Sequence, residues 1–133
     1  MCYYNFYGVE CYELIDLFLQ PAKKEEGFYL GNVIKYIYRA GNKQVDTEYS
    51  DIEKALVYFK KFLNMKSKSY IDNFQLRISY EKYNNYCKCF TSMPKYKYDF
   101  FSQLLFCGLT GQWHLGEIYN ILKDNVEEVI KWL

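Results

Sequence analysis

The chain has 133 residues, with 17 basic and 16 acidic side chains and a formal net charge of +1. That length suits one domain with a core of its own, and with charge so nearly balanced nothing marks the chain as a general nucleic-acid binder. Aromatic residues make up 21%, including 16 Tyr and 10 Phe, a content suited to half-buried positions, interfaces and base stacking. No segment has the charged start and apolar run of a signal peptide, and none is apolar over a membrane-spanning length. The expected location is therefore cytoplasmic, with no membrane partner. Five cysteines, an odd number in such a chain, argue against a disulfide framework. Cys87, Cys89, Cys107 and His114 do not form two close pairs, so no structural metal centre is expected.

In chain order, residues 1–7 read as an extended aromatic arm. A helix follows from Gly8-Val9-Glu10 to about Leu19, with Val9, Tyr12, Leu14, Ile15, Leu17 and Phe18 as its apolar positions. Glu10 and Glu13 share a face, as do Glu13 and Asp16. Carboxylates so spaced can hold magnesium through their oxygens, or complement a helix dipole. Pro21 ends this helix, and residues 23–27 read as an exposed connection.

The stretch 31–41 is the centre of the pattern. Helical period puts Val33, Ile34, Ile37 and Ala40 on an apolar stripe. Asn32, Lys35, Tyr36 and Arg39 share another face, which Lys43 continues beyond the stop at Gly41. Arg offers a rigid fork for phosphate oxygens, Lys a point charge and Tyr a stacking surface, so this face suits an anionic ligand carrying phosphates and a ring. The same pattern also suits a solvated face whose Lys and Arg stems cover apolar neighbours. A polar loop leads to Ser50 or Asp51, read as the cap of a third helix over about 51–65. That helix buries Ile52, Ala55, Leu56, Phe59, Phe62 and Leu63, and leaves Asp51, Lys54 and Tyr58 on its other flank. Links of this length favour antiparallel neighbours, giving an N-terminal three-helix unit.

Residues 65–69 mark the boundary to the second half. A helix is expected over 70–90, broken by Ser92-Met93-Pro94. Lys95-Tyr96-Lys97-Tyr98 alternates cations with rings and reads as an exposed loop, or as a site for a nucleotide or single strand. Asp99 is the expected cap of a helix that Gly108 and Gly111 interrupt. The last helix spans 113–133 on a stripe of Ile118, Ile121, Leu122, Val126, Val129, Ile130 and Leu133. The fold class is therefore mostly α: a single-domain helical bundle over 1–133, with an N-terminal unit at 8–65 and an additional helical half at 66–133. His114 reads as a structural histidine beside Trp113.

Three motifs carry a family resemblance: Gly8-Val9-Glu10-Cys11; Phe28-x-x-Gly31-Asn32-Val33-Ile34-Lys35-Tyr36-Ile37-x-Arg39-Ala40-Gly41-x-Lys43; and Asp51-Ile52-x-Lys54-Ala55-x-x-Tyr58-Phe59. Over about residues 8–63 the chain resembles a small bacteriophage family labelled nucleotide-kinase-like, or SaV-like. The resemblance implies a phage-encoded, mostly helical protein of the host cytoplasm, with a nucleoside-monophosphate kinase activity attributed to at least one member. By position it points to Glu10 and Asp51 for catalysis, and to Asn32, Lys35, Tyr36, Arg39, Lys43 and Lys54 for ligand binding. A kinase would use magnesium, although no Gly-x-x-x-x-Gly-Lys-Ser/Thr phosphate loop is present.

The expected function is binding of a nucleotide or nucleotide-like phosphate ligand, with phosphotransfer as its enzymatic form. The alternative is a phage counter-defence protein that sequesters a nucleotide signal or inhibits a host defence enzyme by direct contact. The aromatic excess and the apolar last helix also predict a homo-oligomer.

Overall fold

Apolar residues recurring at three and four positions make amphipathic helices throughout, because only that period collects them on one side. The computed structural model describes residues 5–20, 24–42, 47–66 and 74–131. Among the described residues there are six helices and no strand: α1 (Cys11–Leu19), α2 (Lys24–Arg39), α3 (Glu48–Leu63), α4 (Tyr80–Thr91), α5 (Lys95–Thr110) and α6 (Leu115–Lys131). The mostly α bundle expected from the periodicity is thus the observed fold class. Helix α2 lies against α1 and α3, α3 against α6, and α5 against α4, α6 and α1. No helix of the described residues is long and apolar enough to cross a membrane.

The expected stripe of α2 is buried, with Val33, Ile34, Ile37 and Ala40 at or below 1% exposure. Ile52, Ala55, Phe59 and Phe62 of α3 are equally hidden. Edge-to-face rings join this half to the second: Phe59 meets Phe100 at 6.3 Å and Tyr119 at 5.5 Å, and Tyr38 meets Phe101 at 6.5 Å.

Several boundaries differ from the expectation. Helix α2 starts at Lys24, so residues 24–27 are helical and not a connection, and Glu26 is buried. A glycine inside a helix costs only about 1 kcal/mol, so Gly27 and Gly31 do not hold off a helix whose apolar stripe is well packed. Helix α3 starts at Glu48, capped by Thr47, whose Oγ1 accepts from the Ser50 N–H at 3.0 Å. Neither Ser50 nor Asp51 is the cap. Replacing Thr47 by Ala is expected to cost about 1 kcal/mol, read in urea melts as a lower midpoint at unchanged slope.

The helix expected over 70–90 forms only at 80–91 among the described residues, and residues 70–73 lie outside them. Residues 74–79 run along α5 instead. The Leu76 N–H donates to the Gly108 carbonyl at 2.6 Å, and the Trp113 indole N–H to the Phe74 carbonyl at 2.6 Å. A Cβ on Gly108 would lie 3.3 Å from Leu76, so this glycine admits a close approach and does not interrupt the helix. Gly111, at φ +74°, ends it.

Lys95-Tyr96-Lys97-Tyr98 is the first turn of α5 and not a loop, with Tyr96 and Lys97 buried. Asp99 sits within the helix and accepts from Lys95 Nζ at 3.0 Å, so it is not a cap. On α6, Ile118, Leu122 and Val126 are buried while Ile121 is 40% exposed. The side chains of Val129 and Ile130 and all of residues 132–133, invoked in the oligomer expectation, lie outside the described residues, as do residues 1–4 of the aromatic arm. Cys11 is disulfide-bonded, which counting cysteines could not foresee, since an odd total still permits a single pair. Cys87, Cys89 and Cys107 are free thiols.

Candidate functional site

Helices α2 and α3 bring most of the sequence-predicted residues together. The Tyr36 ring stacks on Tyr58, with centroids 5.9 Å apart and planes 13° from parallel. Around Tyr36 stand Lys35 Nζ at 5.2 Å, Lys54 Nζ at 5.7 Å and Arg39 Cζ at 4.7 Å from the ring centroid. Lys61 Nζ lies 5.6 Å from the Tyr58 centroid, and Phe28 sets its edge on Tyr58 at 5.9 Å. The spacing explains the cluster: positions 28, 32, 35, 36 and 39 fall on one side of α2, and 51, 54, 58 and 61 on the facing side of α3. A shallow cleft of about 170 Å³ beside it is lined by Glu53, Lys54, Val57, Tyr58 and Lys61.

Arg39 and Asp51 sit beneath this face. Arg39 is 5% exposed and Asp51 fully buried. The guanidinium donates from Nε at 3.1 Å and from Nη2 at 2.9 Å, both to Asp51 Oδ1. Among the described residues Asp51 Oδ2 is buried with no hydrogen-bond partner. Asn32 lies further along α2, and its Nδ2 donates to the Phe28 carbonyl of its own helix at 2.7 Å. Glu10 is exposed just before α1, and its side chain makes no capping bond. Lys43 lies outside the described residues. Among the described residues no three His, Cys, Asp or Glu side chains gather as a group able to hold a metal ion.

A buried polar hub at the C-terminal end of α2 is a second cluster, absent from the sequence expectation. Lys97 is fully buried, and its Nζ donates to the carbonyls of Tyr38 at 2.7 Å and Ala40 at 2.5 Å and to Tyr7 Oη at 2.8 Å. A cation is favoured there because the last carbonyls of a helix lack intrahelical donors and form the negative end of its dipole. Burial nonetheless pushes Lys97 down to about 8, against the opposing pull of the Glu48 and Asp51 charges. Tyr96 donates its hydroxyl to Glu48 Oε2 at 3.0 Å, and burial together with Glu48 holds its ionisation well above the usual range. Tyr38 donates to the Val9 carbonyl at 2.6 Å and accepts from the Phe6 N–H at 2.7 Å, fastening residues 6–9 across the same end.

The sequence did contain a signal for Lys97. Running the period of Phe100, Phe101 and Leu104 backwards places Tyr96 and Lys97 on the buried stripe. Asp99 masked it, because by residue type it reads as a cap and so places the helix start later.

A further cleft of about 350 Å³ lies between the chain before α1, α1 and α4, lined by residues that include Glu13, Tyr86, Lys88 and Cys89. There burial, then the nearby Glu13 carboxylate, push Tyr86 up to about 12. Glu13 thus faces this cleft beside Tyr86 of α4.

Residues 2–60 match a family described as a protein of unknown function, DUF3310. The match takes in α1, α2 and most of α3, hence Tyr36, Tyr58 and the Arg39–Asp51 pair, and stops before Lys97. No curated protein and no solved structure matches the chain.

Proposed function

We propose that the α2–α3 face binds a nucleotide or a nucleotide-like phosphate ligand. The observation that carries this reading is the Tyr36–Tyr58 stack with three lysine amines within 6 Å of its ring centroids. Lys35, Lys54 and Lys61 offer positive charge to phosphates, while Tyr58 and the 58%-exposed Phe28 offer ring surface to a base. Arg39 supports the face from below, its guanidinium against Tyr36 and its charge balanced by Asp51. Asn32 stands further along the same helix. Magnesium, where needed, would be shared between the ligand's phosphates, water and a nearby carboxylate such as Glu53, which lines the cleft.

Binding fits this geometry better than phosphotransfer. Asp51, one of the two acids that a kinase mechanism would use, is fully buried on Arg39. Retention without turnover is also what a phage protein that sequesters a nucleotide signal would show.

The test is a thermal-shift screen over mono-, tri- and cyclic nucleotides with and without magnesium, since a ligand of the folded state raises the midpoint. Lys54→Ala is expected to weaken the best ligand about tenfold or more, in line with the loss of a charge-assisted contact. Tyr58→Ala is expected to do at least as much through lost stacking. No stabilising nucleotide, or full affinity in a folded Lys54→Ala variant, would overturn the assignment.

A further inference from the structure

The cleft between the chain before α1, α1 and α4 is a second candidate site, apart from the α2–α3 face. At about 350 Å³ it lies at the low end of what small-molecule sites occupy, roughly 300–1,000 Å³. Its floor is rigid. Tyr86 is buried with its ring stacked on Phe90 at 6.3 Å, and Phe90 stacks in turn on Phe101 at 5.6 Å. One wall is main chain. Gly8 stands there at φ +83°, and a Cβ on it would lie 3.6 Å from Cys89 Sγ, which also lines the cleft. Glycine admits that conformation and keeps side-chain atoms out of the space. The Tyr38 hydroxyl holds residues 6–9 in place by its bonds to Phe6 and Val9.

Charge sets the kind of ligand. Glu13 of α1 and Lys88 of α4 line this one cleft, and both are exposed. Among the described residues neither forms an ion pair, with the other or with a third group. Tyr86 and Cys89 add no charge near neutral pH, since burial first and Glu13 second raise both above their usual ionisation. They stay a phenol and a thiol, donors beside the carboxylate, and Asn85 brings an amide that both donates and accepts. We infer that this cleft binds a small zwitterion of the free amino acid class, its ammonium on Glu13 and its carboxylate on Lys88. Each end of such a ligand meets the opposite charge, so it satisfies two side chains that do not reach each other. A plain anion would meet Glu13 as a like charge, and a plain cation would meet Lys88 so. The cleft shares no residue with the Tyr36–Tyr58 cluster, so the inference stands apart from the nucleotide reading.

The experiment is a thermal-shift titration of the full chain with each of the common L-amino acids. The expected result is a saturable rise in the midpoint with at least one of them, about 5 °C where its concentration is tenfold above the dissociation constant. The same amino acid with its nitrogen acetylated, or its carboxyl amidated, should give no rise at that concentration. Glu13→Gln and Lys88→Met should each weaken binding about tenfold, the usual loss for one charge-assisted contact. Alkylation of Cys89, mapped by mass spectrometry, gives a reading on the unmutated chain. It should slow when the amino acid is bound, while Cys87, which does not line the cleft, keeps its rate. No rise with any common amino acid at millimolar concentration overturns the inference. So does equal affinity for the acetylated or amidated form, full affinity in both folded variants, or a bound amino acid that leaves Cys89 labelling unchanged.

Discussion

Arg39→Ala is expected to lower the stability of the fold by about 3–5 kcal/mol, the usual result of removing one partner from a buried ion pair. Both contacts converge on Asp51 Oδ1 at 2.9 and 3.1 Å, and Asp51 is fully buried. With the guanidinium gone, a carboxylate with no water access and one oxygen already unpaired among the described residues would keep its charge at high cost or take up a proton. Urea melts should show the loss directly. Replacing both partners by apolar residues of similar size, as in Arg39→Met with Asp51→Leu, should recover most of it, because the penalty lies in the orphaned charge. A stable Arg39→Ala variant, or a double variant as weak as the single one, would contradict this account.

This matters for reading any binding experiment. A drop in nucleotide affinity in an Arg39 variant does not distinguish a lost phosphate contact from a collapsed face. Lys35, Lys54 and Tyr58 are better probes, because they stand at the surface of the cluster and the pair beneath them stays whole.

The apolar side of the fold was legible, since period alone set the buried stripes of α2 and α3, from Val33 to Ala40 and from Ile52 to Phe62. The same arithmetic put Lys35, Tyr36 and Arg39 on one face, and the structure sets Lys54 and Tyr58 opposite them. Which of these cations is buried was not legible, because Arg39 and Lys35 follow the same spacing rule and differ only in what α3 presents to each. Asp51 decides that, and it reads equally well as an exposed helix cap. Thr47 is not distinguishable as the cap from sequence, because Ser50 and Asp51 are as good by residue type and only backbone geometry separates a cap from the turn after it. The run at 74–79 was not legible because it is held by Gly108 and Trp113, which lie 32 to 39 residues beyond their partners. Such a tie leaves no local period.

Lys97→Met is expected to cost about 3 kcal/mol near neutral pH. The thioether fills much of the space but donates nothing, leaving the Tyr38 and Ala40 carbonyls short of a donor at about 1–3 kcal/mol each. For a domain of this size that corresponds to a fall in melting temperature of roughly 10 °C. The pH dependence separates this hub from an ordinary core position. Burial lowers Lys97 from the usual 10.5 to about 8, so between those values the unfolded chain holds more protons than the folded one. Stability from this group therefore rises with pH through that window, and below it the cost of a buried charge is fully present. Tyr7, Tyr38 and Tyr96 act the other way, since burial raises each above the usual 10.0 and the unfolded chain ionises first. Their contribution falls away as pH climbs past 10. Wild-type melting should improve from about pH 8 toward 10 and then decline, whereas the Met variant should lack the improvement and keep the decline. Thermal melts of the two proteins across that range should thus show a gap that widens with pH up to about 10. A gap of constant size would mean that Lys97 does not titrate in this window and that Glu48 and Asp51 outweigh its burial.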